Sequence, residues 1–261
     1  MSTLASAERP LEASVSQKVV LAVTGLVMYG FVSVHMIGNL QLYSGPEKLN
    51  HYAELLQSAR PLLYGARCVL LLAVATHAWI SISLALKNRA ARPVKYAGQR
   101  FLEADLASRT MIWSGPVIAL FVLYHILHFT AGSAHPDFVV GDVYRNVVVG
   151  FRVPVVALVY VAAMAGLGFH LYHGATSLFQ TLGLRTPGNE KKLKVVLTAV
   201  SAAIVAGNIS FPLAVLSGIV KLPSYQEAAI ANAAAQAKTG AAPAAPAAPA
   251  ASAAPATAAG K

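Results

Sequence analysis

Charged side chains are scarce in this sequence. Acidic and basic residues make up 11% of the 261 residues, against about 25% in an ordinary soluble domain. Cysteine is nearly absent. The single Cys68 excludes an intrachain disulfide and any cysteine-bound zinc or iron–sulfur site within the chain. Negative charge is the rarer sign, with 10 Asp and Glu against 20 Lys and Arg. The five long apolar stretches hold no Asp or Glu. That lack argues against a proton-relay transporter, in which internal carboxylates and interrupted helices near the midplane are the rule. A cleavable secretory leader is not expected either. The first apolar stretch is too long for a signal core and lacks a cleavage-like site.

What is present in excess is hydrophobic sequence, 56% of the chain, at a mean hydropathy of +0.59. Five stretches, 18–40, 62–86, 109–131, 152–182 and 193–220, each reach the roughly 20 residues that span a bilayer. In lipid the backbone must satisfy its own hydrogen bonds, so these are helices. Pro116 and Pro212 bend such helices rather than exclude them. The expected fold class is an all-α membrane protein, a bundle of five transmembrane helices over residues 18–220. A short lead, 1–17, precedes it, and an Ala/Pro-rich tail, 221–261, follows. The tail has no apolar face and reads as disordered.

The net charge of +10 would suggest nucleic acid in a soluble protein. Here the bases gather in two of the loops between apolar stretches. One loop carries Lys87, Arg89, Arg92, Lys95 and Arg100; the other carries Arg185, Lys191, Lys192 and Lys194. The remaining two loops are poorer in bases. By the positive-inside rule the basic loops and the N-terminus face the cytoplasm.

Histidine is the unusual residue inside the apolar stretches. His35, His77, His125, His128, His170 and His173 lie there, while His51 and His135 lie in the outer loops. Ionisable groups in a membrane are functional candidates, since each needs a partner. Histidine occurs in each of the first four stretches and not in the fifth. At roughly 1.5 Å per residue, His35 and His125 fall in the outer half, and His77 and His170 in the inner half. Two imidazoles at one depth on different helices suit the two axial positions of a haem iron. Zinc wants four ligands at one point, which neither level offers. Bis-histidine ligation fills both axial positions and suits electron transfer.

A flat macrocycle needs room one turn above and below its ligand. His170 has Gly166 and Gly174 there, and His77 has Ala73 and Ser81. His173 has Phe169 and Ser177, which leaves less space. The same criterion does not separate His125, between Phe121 and Phe129, from His128, between Tyr124 and Gly132.

Four segments carry a family resemblance: "VHMIGNLQ", "THAWISISLALKNRAARP", "RTMIWSGPVIALFVLYHILHFT" and "GFHLYHGATSLFQTLGL". Over about residues 15 to 220 the chain resembles the five-helix, di-haem cytochrome b anchor of succinate dehydrogenases and fumarate reductases. The resemblance implies two haem b groups. His77 and His170 would ligate the inner one and His35 and His125 the outer one, with His128 and His173 as secondary candidates. It further implies a flavoprotein and an iron–sulfur subunit on the cytoplasmic face of a bacterial inner membrane. Succinate would be oxidised at the partner's flavin, and electrons would pass through the haems to a quinone, menaquinone or ubiquinone. The anchor would contribute the quinone site rather than flavin catalysis.

A quinone needs an apolar slot with a polar head-group partner. His51, Glu54 and Arg60, between the first two stretches, are the candidates at the outer surface. Arg109, Arg152 and Lys191 are candidates for haem propionates. Some fumarate reductases of this type place a carboxylate on the fourth or fifth helix for proton return. No acid stands there in this chain. The competing reading is the di-haem cytochrome of a nitrate reductase or formate dehydrogenase. Those concentrate their histidines on fewer helices.

Overall fold

The computed structural model of the chain describes residues 9–91 and 106–239, with side chains described for 15–91 and 109–231. Among the described residues every regular element is a helix. The five apolar stretches become α1 (Arg9–Asn39), α3 (Arg60–Ala90), α4 (Leu106–Phe129), α6 (Pro154–Thr181) and α7 (Glu190–Leu216). All five are long and apolar enough to cross a membrane. The helical backbone starts well before the apolar stretch of α1, at Arg9 rather than near residue 18. Both α4 and α7 run continuously through Pro116 and Pro212.

Two further helices lie at one end of the bundle: α2 (Pro46–Ser58), after a 3-10 turn at Leu40–Ser44, and α5 (Val143–Phe151). Proline at the first turn starts α2, α3 and α6, where a missing N–H costs nothing. Asp142 caps α5, accepting from the Arg145 backbone N–H at 3.0 Å. The α6 helix ends at Gly183, held at φ 70°, where a Cβ would be strained.

The elements α2 and α5 pack on each other and define a cap end. The other end carries Lys87 and Arg89 of α3 and Lys191, Lys192 and Lys194 of α7, and is the basic end. Asn50 stitches the cap together. Its amide donates to Asp142 at 2.9 Å, and its carbonyl oxygen accepts from the Tyr144 backbone N–H at 2.9 Å. Arg145 pairs with Asp137 in the same loop. The Tyr144 hydroxyl donates to the Lys221 carbonyl at 3.0 Å, and burial raises this phenol's pKa above its ordinary value.

In the bundle α3 packs along α1, and α4 along α6. The α6 helix also packs on α1 and α7. A cavity of about 2130 Å³ runs inside the bundle, lined by α1, α3, α4 and α6. Bulky apolar side chains such as Leu71, Trp79, Trp113 and Leu120 are exposed on the outside, as lipid-facing positions require.

The chain divides into two compact units, Met1–Lys221 and Leu222–Lys261. In the second, Ser224–Thr239 forms a helix, α8. This corrects the expectation of disorder for that part of the tail. Its run "EAAIANAAAQAK" is rich in alanine, the strongest helix former, and no proline falls between Pro223, just before the helix, and the end of the run. Residues 240–261 lie outside the described residues.

Candidate functional site

Of the five histidines that line the cavity, four come from four different helices and face one another: His35 of α1, His77 of α3, His125 of α4 and His170 of α6. They form two pairs. The ring centroids of His77 and His170 lie 6.4 Å apart, and those of His35 and His125 lie 5.9 Å apart. Two metal–imidazole bonds of about 2 Å in line, plus about 1 Å from each nitrogen to its ring centre, require roughly 6 Å. Both pairs meet that requirement.

Hydrogen bonding also selects the right nitrogen. The Thr24 hydroxyl donates to the Val20 carbonyl at 2.9 Å, so toward His77 Nδ1, 3.2 Å away, its oxygen is the acceptor. Ser114 repeats the device on α4. Its hydroxyl lies 3.4 Å from the Met111 carbonyl and 3.2 Å from His170 Nδ1, and with the proton on the carbonyl it accepts from that nitrogen. Each imidazole therefore carries its proton on Nδ1 and leaves the Nε2 lone pair available. A second partner fixing the tautomer of a ligand histidine is the usual support for metal binding.

The vertical order follows from the same contacts. Thr24 is level with His77, and His35 lies eleven residues further along α1. Ser114 is level with His170, and His125 lies eleven residues further along α4. Eleven residues are three helical turns, or about 16 Å. Both helices thus present a hydroxyl at one level and a histidine at the other on the same face. The His77/His170 level lies toward the basic end and the His35/His125 level toward the cap end. His35 is stacked on Phe31 at 5.4 Å.

The glycines divide by role. An added Cβ at Gly166 or Gly174 would meet no atom within 4 Å, so open space lies one turn on either side of His170. At Gly168 it would meet Val205 at 2.9 Å, and at Gly207 it would meet Met36 at 2.6 Å. Gly174 lines the cavity and a Cβ at Gly166 would be unobstructed, whereas Gly168 and Gly207 allow helices to touch.

The remaining histidines are placed differently. His128 is fully buried and does not line the cavity. Its Nδ1 lies 3.0 Å from the Tyr160 hydroxyl, and its ring stacks on His135 at 4.9 Å. His173 lines the cavity one turn toward the basic end. His51 and Glu54 are exposed on α2, outside the cavity lining, whereas Arg60 borders it. Arg109, Arg152 and Lys191 are exposed.

Four site residues escape a reading of histidines alone: Thr24, Ser114, Tyr160 and Arg67. The spacing of Thr24 and Ser114 from the histidine of their own helix is the signal in the sequence that finds them. Arg67 is found by register. With Thr24 opposite His77 on antiparallel helices, Ala66 falls opposite His35, so the neighbouring Arg67 is close to that level, and it lines the cavity. Its guanidinium lies 5.4 Å from the centre of the Tyr64 ring, and no carboxylate pairs with it among the described residues. A cation at membrane depth facing a cavity is a site for an anionic group.

Residues 85–207, a little under half of the chain, match the family of succinate dehydrogenase/fumarate reductase transmembrane subunits. The match spans α4, α6 and most of α7. It includes His125 and His170 but not His35 and His77, which the fold brings to them. No curated protein and no solved structure matches the chain.

Proposed function

We propose that this chain is a succinate dehydrogenase/fumarate reductase transmembrane subunit, a di-haem cytochrome b that anchors the complex and passes electrons to or from a membrane quinone. The observation that carries this reading is the geometry of the two histidine pairs. Each stands at bis-axial distance, and the pair nearer the basic end has both Nδ1 protons held by hydroxyls that have no other proton to give. Haem iron, when bound, would supply a one-electron couple, held by the histidines of each pair.

His77 and His170 hold the haem b nearer the basic end, and His35 and His125 the one nearer the cap. Gly166 and Gly174 leave room for the ring around His170. Arg67 places a positive charge at the cap-end level, where it neutralises a propionate. His173, one turn toward the basic end, serves a propionate of the other haem or faces the partner. His128 is buried behind His125 and does not ligate.

The basic end is the cytoplasmic face of a bacterial inner membrane, and the flavoprotein and iron–sulfur subunits dock there. The quinone, menaquinone or ubiquinone, enters at the cap end. There Arg60 and Gln57 border the cavity and offer donors to a quinone carbonyl. His51 and Glu54 on α2 stand outside the cavity lining and take part only as proton carriers at the surface.

A reduced-minus-oxidised spectrum and a haem determination on the purified complex test the reading. Two b-type haems per chain are expected. A folded complex without haem overturns it.

A further inference from the structure

The Tyr160 hydroxyl lies 3.3 Å from His125 Nδ1 and 3.0 Å from His128 Nδ1. The ring is buried. A phenol has one proton to donate, and its oxygen accepts. A buried hydroxyl proton without an acceptor is costly, so Tyr160 donates to one imidazole and accepts from the other. The two histidines are thereby held in opposite tautomers.

Which is which follows from their surroundings. His125 lines the cavity opposite His35, 5.9 Å away between ring centroids. His128 is sealed off. Its Nε2 is buried with no hydrogen-bond partner, and a Cβ on Gly150 would stand 3.0 Å from that atom. Behind it His135 is fixed as well, donating from Nε2 to the Asn146 carbonyl at 2.8 Å and accepting from the Asp137 N–H at 3.0 Å.

Building on the di-haem reading, we propose that Tyr160 is a positioning residue for the cap-end haem. It accepts from His125 Nδ1–H and donates to His128 Nδ1. This arrangement presents the His125 Nε2 lone pair to iron and gives His128 the tautomer whose Nε2 carries a proton; that N–H has no acceptor among the described residues, a cost the two Tyr160 hydrogen bonds offset. Tyr160 is the cap-end counterpart of Thr24 and Ser114, with one difference. Those hydroxyls send their proton to a helix carbonyl, whereas Tyr160 sends its proton to a second histidine. His128 is then the acceptor that keeps the phenol proton away from His125.

The test uses the intact complex and reads haem content, the midpoint potential of each haem and the low-spin ferric EPR signals. Tyr160→Phe retains both haems, raises the cap-end potential and alters that haem's EPR signal while the other haem stays unchanged. His128→Gln, whose amide oxygen still accepts, resembles the wild type. His128→Leu strands the phenol proton, which turns to His125 Nδ1, and cap-end haem content falls. The double variant Tyr160→Phe, His128→Leu regains that haem, because the competing proton is gone. Unchanged potentials and signals in Tyr160→Phe, or additive losses in the double variant, overturn the proposal. Absence of haem from the wild-type complex instead overturns the di-haem reading on which it rests.

Discussion

His77 of α3 and His170 of α6 face each other across the cavity with ring centroids 6.4 Å apart, and each has its Nδ1 within 3.2 Å of a hydroxyl on a neighbouring helix. Neither contact is local in sequence. Thr24 supports His77 from α1, and Ser114 supports His170 from α4. The pair is therefore held by four helices at once, and its geometry depends on the whole bundle rather than on any one segment.

Loss of a single histidine should cost one haem and not both. His77→Ala or His170→Ala removes the basic-end haem, and His35→Ala or His125→Ala removes the cap-end haem. His173→Ala retains both. Haem quantified per purified complex decides this, together with a redox titration that separates the two potentials. Loss of the basic-end haem in His173→Ala but not in His170→Ala would show the wrong ligand has been assigned.

Thr24→Val and Ser114→Ala remove the acceptors of the Nδ1 protons while keeping the histidines. A hydrogen bond of this kind contributes about 1 kcal/mol, which for a one-electron couple corresponds to roughly 40 mV. A less basic imidazole stabilises ferric iron less, so the basic-end potential rises. The cap-end potential stays constant in both variants.

The two classes of glycine give opposite outcomes. Gly174→Leu projects into open space and should exclude the basic-end haem while the complex still assembles. Gly168→Leu drives into Val205 and should reduce the amount of folded protein, because overpacking costs about 1–3 kcal/mol. Immunoblots of membranes read the second effect and haem per chain the first.

Arg67→Gln removes a positive charge beside the cap-end level. The reduced haem carries one electron more, so loss of a nearby cation lowers its potential. Arg67→Lys keeps the charge and should keep most of the potential. Equal potentials in wild type and Arg67→Gln would place the guanidinium away from the haem.

The orientation has its own check. Reporter fusions after Ala90 should be active as cytoplasmic fusions, and those at Asp137 as external ones. Exchanged activities would put the basic end outside.

Much of this was legible in the chain itself. Five apolar runs set five helices, because a segment with no water to bond to can satisfy its backbone only within itself. Depth then followed from arithmetic, since the rise per residue is fixed, and the four histidines that pair across the cavity are the ones that counting sorted into two levels. The short helix α5 was hidden, because nine residues in a loop give too little periodicity. The helix α8 was misread for a different reason: an Ala-rich run looks like low complexity until the backbone shows its propensity.

What the sequence could not decide was contact. His125 and His128 are one turn apart with similar neighbours, and no local criterion separates them. In the fold, α4 packs on α6, and Tyr160 comes between the two imidazoles. One ring then faces the cavity and the other is sealed against Gly150. Likewise Arg67 is an unremarked base near the start of an apolar stretch until the register of α1 against α3 brings it close to the level of His35 and the fold places it on the cavity. Helix length, depth and charge asymmetry depend on one segment and its solvent, so the sequence by itself determined them. Which nitrogen keeps its proton, and which histidine meets which, depends on side chains from different helices, and packing alone brought them together.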